Sequence, residues 1–136
     1  MIHTTLGHLQ INVKSENVDF YKDLMTYLGW SVLYQDEETV GVGSTDGASL
    51  WFTGQGKDIC NDYDGTGMNH LALNTPTQGE VDKAAAFLRA HDIPVLFDTP
   101  RHRPEFCGSV DQTYYQVMFE SPDRILFEVV YRGAKD

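Results

Sequence analysis

Hydrophobic and polar positions alternate in short runs, then switch to a helical period, and do so twice along the chain. In "TLGHLQINV", Gly7, Leu9, Ile11 and Val13 fall on one face of a strand and Leu6, His8, Gln10 and Asn12 on the other, because successive strand side chains take opposite faces. His8 therefore lies mid-strand on the more polar face. From about Ser15 to Leu28 the period changes. Val18, Tyr21, Met25 and Leu28 recur at helical spacing, and Gly29 follows as a stop. The strand-like runs "WSVLYQ", "TVGVGS" and "ASLWFT" come next.

The same order returns in the second half. Setting His70 of "GMNHLALNTP" over His8 places Leu71 on Leu9, Leu73 on Ile11 and Asn74 on Asn12. A helix is predicted from about Gln78 to His91. Thr77 and Glu80 have the spacing of a capping box, Val81, Ala84, Ala85 and Leu88 form its inner stripe, and Asp92-Ile93-Pro94 ends it. The strand-like runs "IPVLFD", "TYYQVMFES" and "RILFEVVYR" follow. Each half thus reads β-α-β-β-β. The expected architecture is α+β, a single domain of two tandem modules over about 3–56 and about 66–132. A Gly- and Asp-rich linker over about 57–65 joins them.

Composition narrows the possibilities. At 136 residues the chain has the size of one domain with a real core. No apolar run approaches the roughly 20 residues of a membrane helix. A basic segment followed by an apolar core is missing from the start, so no secretory signal is expected. Cys60 and Cys107 stand in polar, loop-like surroundings, which fits a reducing cytoplasm better than a disulfide scaffold. Acidic residues outnumber basic ones 20 to 10, the reverse of a phosphate-binding surface, so neither nucleic acid nor a membrane is an expected partner.

The doubled order, a histidine on the first strand of each half, and the closing "SPDRILFEVV" resemble the vicinal oxygen chelate superfamily. That superfamily includes glyoxalase I, extradiol dioxygenases, fosfomycin-resistance transferases and bleomycin-resistance proteins. The resemblance covers roughly residues 3 to 132. It implies that the two modules pair their sheets into a cupped half-barrel around a divalent metal. It also implies a homodimer, since most small members are homodimers.

Carried over residue by residue, the resemblance makes His8, His70 and Glu128 the metal ligands. Imidazole and carboxylate together suit Fe, Mn, Zn, Ni or Co. Glu128 also needs a partner on its own terms, because it interrupts the apolar run "ILFEVVY" and an unpaired buried carboxylate is costly. A metal is one such partner; an arginine such as Arg124, or an edge-strand position open to water, is another. Some members carry a fourth ligand on the last strand of the first module. Trp51 stands there in this chain, five residues after Asp46 as Glu128 stands five after Asp123. Tryptophan cannot bind the metal, which departs from the glyoxalase I pattern and tilts the expectation toward the two-histidine, one-carboxylate set of non-haem iron dioxygenases.

Further candidate residues surround that centre. The segment "DTPRHRPEFCGSVDQ" lengthens the second half and reads as a loop. Its Arg101, His102 and Arg103 form a local basic cluster, either a receptor for a carboxylate, phosphonate or enolate oxygen or a solvated loop. Tyr115 is the candidate catalytic tyrosine beside Glu128. Trp51 and Gln10 are candidate substrate contacts. Two functions follow: a metal-dependent enzyme, dioxygenase-like or glyoxalase-like, acting on a small substrate with neighbouring oxygens, or a bleomycin-resistance-like protein that sequesters a small molecule without catalysis.

Overall fold

The computed structural model describes residues 1–136, which divide into two compact units, Met1–Ile59 and Cys60–Asp136. The first unit contains β1 (His8–Asn12), a short 3-10 turn (Ser15–Asn17), α1 (Val18–Tyr27), β2 (Ser31–Gln35), β3 (Thr39–Gly43) and β4 (Ser49–Thr53). The second contains β5 (Leu71–Asn74), α2 (Gln78–Ala90), β6 (Val95–His102), a 3-10 turn (Pro104–Phe106), β7 (Gln112–Glu120) and β8 (Leu126–Ala134). Each unit forms one four-stranded sheet. The orders β1-β4-β3-β2 and β5-β8-β7-β6 are the same topology used twice. No helix is long and apolar enough to cross a membrane.

Both helices form where the periodicity predicts them, for identifiable reasons. Thr77 Oγ1 accepts the Glu80 backbone N–H at 3.2 Å and caps α2. Val81, Ala84, Ala85 and Leu88 are its buried residues, turned onto β6, β7 and β8. α1 ends at Gly29, whose φ of +92° only glycine adopts freely. Val18, Tyr21, Leu24 and Met25 are buried against the first sheet, with the Tyr21 ring stacked on Phe52 at 4.4 Å. Burying each such large side chain contributes roughly 1.5–3 kcal/mol. The predicted helix at Ser15 begins instead as the 3-10 turn, tightening into α1 at Val18.

Two matched turns set the register of the closing strands. Ser44 N–H donates to Ala48 O and Gly47 N–H to Ser44 O; Ser121 N–H donates to Ile125 O and Arg124 N–H to Ser121 O. Gly47 and Arg124 both take left-handed backbone, at φ +95° and +57°. Downstream, Trp51 pairs with Gln10 and Gly41, while Glu128 pairs with Ala72 and Met118. Trp51 and Glu128 therefore occupy the same place in their sheets.

The segment expected as a loop begins as strand, from Asp98 to His102, and is turn and loop from Arg103 to β7. β6 continues to His102 across an irregularity. Its partner on β7 shifts from Met118 at Leu96 to Gln116 at Arg101, so four residues bulge out against one. Phe97 and Asp98 make the bend with φ of +58° and +55°. Pro100 has no N–H to give the ladder. The hydroxyl of Thr99 repairs it, accepting from Met118 N at 2.9 Å and donating to Leu96 O at 2.7 Å. A side chain substituting for a backbone partner leaves no period-2 signature, which is why the extension was hidden.

Candidate functional site

Glu128 is the centre of the second unit's chemistry. Antiparallel pairing puts directly opposed residues on one face, so Met118, Gln116 and Tyr114 of β7 share the face of Glu128. Glu128 is 1 % exposed. Its Oε1 accepts from the Tyr114 hydroxyl at 2.5 Å and from Gln116 Nε2 at 2.8 Å. Its Oε2 lies 3.1 Å from His70 Nε2. Burial, and then the bond to the Glu128 carboxylate, push the Tyr114 phenol up to about 12, against the pull of Arg132 and Arg103.

The surrounding bonds fix the orientation of each amide and ring. Asn69 Nδ2 donates to the Tyr63 carbonyl at 2.9 Å, which turns Asn69 Oδ1 toward His70 Nδ1 at 2.8 Å. A carbonyl oxygen only accepts, so His70 Nδ1 carries the hydrogen. Nε2 then meets a carboxylate oxygen. A shared proton or a metal ion bridges such a pair. Gln116 is fixed in the same way: Arg103 Nη1 donates to its Oε1 at 2.8 Å, and its Nε2 is given to Glu128.

These groups border a cavity of about 470 Å³, within the usual range for a small-molecule site. His70, Glu128, Gln116, Tyr114 and Arg103 supply its polar wall, and Phe97, Phe106, Met118 and Leu126 its apolar one.

Tyr115, the expected catalytic tyrosine, is on the other face of β7. Its hydroxyl donates to Asp82 of α2 at 2.5 Å and its ring meets His102 at 4.8 Å. The neighbouring Tyr114 takes the place intended for it. The sequence does hold the signal: pairing counted outward from the Ser121–Ile125 turn sets Glu128 opposite Met118, so even-numbered β7 residues share its face. Of the basic cluster, only Arg103 lines the cavity. Arg101 is exposed, and His102 bonds Thr113 Oγ1 through Nδ1. Arg124 reaches Glu120 and the Tyr63 ring rather than Glu128. Gln116, Asn69 and Tyr114 had no distinguishing pattern as single letters.

In the first unit, His8 opens β1 and is exposed, and Gln10 donates to Asn12 Oδ1 at 3.1 Å. Trp51 is half-buried, its Nε1 donating to Ser49 Oγ at 2.9 Å. No three His, Cys, Asp or Glu side chains gather closely enough to hold a metal ion. His70 and Glu128 form a pair, and His8 belongs to the other unit.

No protein-family model matches the chain, and no curated protein matches it. Solved structures do. A candidate glyoxalase from Bacillus halodurans is 26% identical, with 93% of this chain and 94% of that chain covered and a TM-score of 0.76. A glyoxalase/bleomycin resistance protein from Albidiferax ferrireducens T118 is 18% identical, with 93% and 98% covered and a TM-score of 0.71. The fosfomycin resistance protein FosX from Listeria monocytogenes, crystallised with Mn(II) and sulfate, is 18% identical, with 96% and 91% covered and a TM-score of 0.67. With two β-α-β-β-β modules of one topology and these neighbours along nearly its whole length, the chain carries the vicinal oxygen chelate fold.

Proposed function

We propose that the chain is a metal-dependent enzyme of the vicinal oxygen chelate class, acting on a small substrate that offers neighbouring oxygens. The observation that carries this reading is the His70–Glu128 pair: a ring whose Nδ1 is engaged by Asn69 and whose Nε2 faces a buried carboxylate oxygen at 3.1 Å. Such a pair fits a divalent cation, and the Asn69 bond to the far ring nitrogen is the outer-shell support that metal-bound imidazoles use. His8 is the third ligand in this reading, from the same chain or from an exchanged partner in a homodimer. Trp51 leaves the fourth position without a protein donor.

A bound divalent metal supplies Lewis-acid stabilisation of negative charge developing on the substrate's oxygens. The chain's own residues do the rest. Tyr114 and Gln116 hold one carboxylate oxygen of Glu128, leaving the other facing His70. Tyr114, its phenol pushed up to about 12, stays protonated at neutral pH and serves as a hydrogen-bond donor rather than a base. Phe97, Phe106, Met118 and Leu126 give the cavity an apolar side for the substrate's body. Proton transfer by a glutamate at the position of Trp51 is not available, which favours the dioxygenase-like branch over hemithioacetal isomerisation.

Elemental analysis of protein purified without a histidine tag tests the proposal. Wild type is expected to hold a first-row divalent metal near one per chain. His8→Ala, His70→Ala and Glu128→Ala are each expected to lower metal affinity by at least about tenfold with the fold retained. A wild type that takes none of Fe, Mn, Zn, Ni or Co overturns the enzyme and leaves a cavity that only binds and sequesters.

A further inference from the structure

We infer that the cavity of the second unit is built for a small carboxylic acid with a flat apolar body, its carboxylate on Arg103. This rests on the reading of the same cavity as the active site and names its substrate class.

Arg103 is held in place before any ligand arrives. Its Nε–H is given to Glu105 Oε1 and one Nη1–H to Gln116 Oε1. The guanidinium plane lies over the Phe106 ring at 4.8 Å, and Phe106 packs edge-on to Tyr114 at 5.2 Å. The side chain is only 20% exposed. A guanidinium has five N–H groups, and those not given to Glu105 and Gln116 have no partner in the protein, although Arg103 borders the cavity. These remaining N–H groups stay within reach of the cavity, on a side chain that is otherwise held, and an acceptor entering the cavity can take them.

A carboxylate matches them best. The planar fork of arginine takes two carboxylate oxygens side by side, and a held fork loses little freedom on binding. Two acids compete for the same charge. Glu105 is 49% exposed and occupies the Nε edge, and Asp64 lies on the cavity wall; neither bonds the terminal N–H groups that remain.

The rest of the ligand is set by the walls. Phe97 and Phe106 are 50% and 56% exposed beside the cavity, and large apolar side chains left open at a concave site mark where an apolar ligand is covered. Aromatic rings favour a flat partner. Gln116 bridges Arg103 to Glu128, one amide apart. A ligand anchored on Arg103 is therefore short if it also reaches the His70–Glu128 end.

Titration calorimetry of the full chain, first metal-stripped and then with Zn(II) added, tests this with benzoate, benzamide and acetate. Metal-stripped wild type is expected to bind benzoate about tenfold more tightly than either benzamide, which lacks the charge, or acetate, which lacks the ring. Arg103→Gln is expected to bring benzoate to the level of benzamide, and Arg103→Lys to recover only part of the difference, since it keeps charge without the fork. Equal affinities for benzoate and benzamide in wild type overturn the inference. So does a folded Arg103→Gln protein that binds benzoate as wild type does, and so does benzoate binding that appears only with Zn(II) and survives that substitution. Should Arg103→Gln not fold, the wild-type comparison and Arg103→Lys decide. A chain that binds benzoate through Arg103 but takes no metal keeps the acid site and overturns the metal centre, so the two failures are distinct.

Discussion

The two modules share a topology, a turn geometry and a register, and differ in what they put at one place. In the first module that place is Trp51, whose ring lies over Gly41: a Cβ added at Gly41 would come within 2.5 Å of it. In the second it is Glu128, opposite Met118, ringed by Tyr114, Gln116 and His70. One module fills the position with an aromatic wall and removes the opposing side chain to make room. The other fills it with a carboxylate and surrounds it with donors. The repeated scaffold fixes where a side chain points, and the letter at that place decides whether the module carries chemistry.

The largest test of this contrast removes both side chains in parallel. Glu128→Ala strands Tyr114, Gln116 and His70, and is expected to cost about 3 kcal/mol. Trp51→Ala loses a half-exposed ring and a single hydrogen bond, and is expected to cost about 1.5 kcal/mol. Urea denaturation of each variant measures both losses, and the reverse order would mean that the carboxylate network is a net burden on the fold.

Much of this contrast was readable in the letters. The doubled order, both helices, the inner stripe of α2 and most of that of α1, where Leu24 rather than Leu28 is buried, and the equivalence of Trp51 and Glu128 follow from periodicity and from two short turns, because those signals are local. The choice between Tyr114 and Tyr115 was missed, because it needs the pairing register of two strands, and a shift of one residue reverses the face. The path from Phe97 to His102 was missed for a different reason: the bulge interrupts alternation, and the Thr99 hydroxyl stands in for a backbone group. Gln116 and Asn69 act through the direction of an amide, which sequence does not display.

A smaller effect is expected from Gly41→Ala. The new methyl group must push the Trp51 ring aside, at a cost of about 1–2 kcal/mol, and a shift in tryptophan emission would report the movement. Unchanged emission and stability would mean that Trp51 is loosely held and that the first module's wall is not a fixed surface.

The smallest expected effect is on the other face of the second module. Tyr115 is pushed up to about 12, chiefly by burial and then by its bond to Asp82. A group raised in the folded state above its ordinary value of 10.0 contributes stability that is whole below that pH and fades as the pH climbs toward 12. Tyr115→Phe is expected to cost about 1 kcal/mol at neutral pH. Its stability should also fall less steeply than that of wild type across this alkaline range, as thermal melts would show. Parallel curves would mean that Tyr115 and Asp82 part in solution.

Gln116 gives its nitrogen to Glu128 and its oxygen to Arg103. Inheritance therefore acts on three letters at once. A glutamate there would set two carboxylates side by side; a lysine would face the guanidinium with a like charge; a methionine would take one partner from each neighbour. Among descendants of this chain, position 116 should change only in company with positions 103 and 128, and a lineage that gives up the acid-binding wall should lose its glutamine in the same stretch of history.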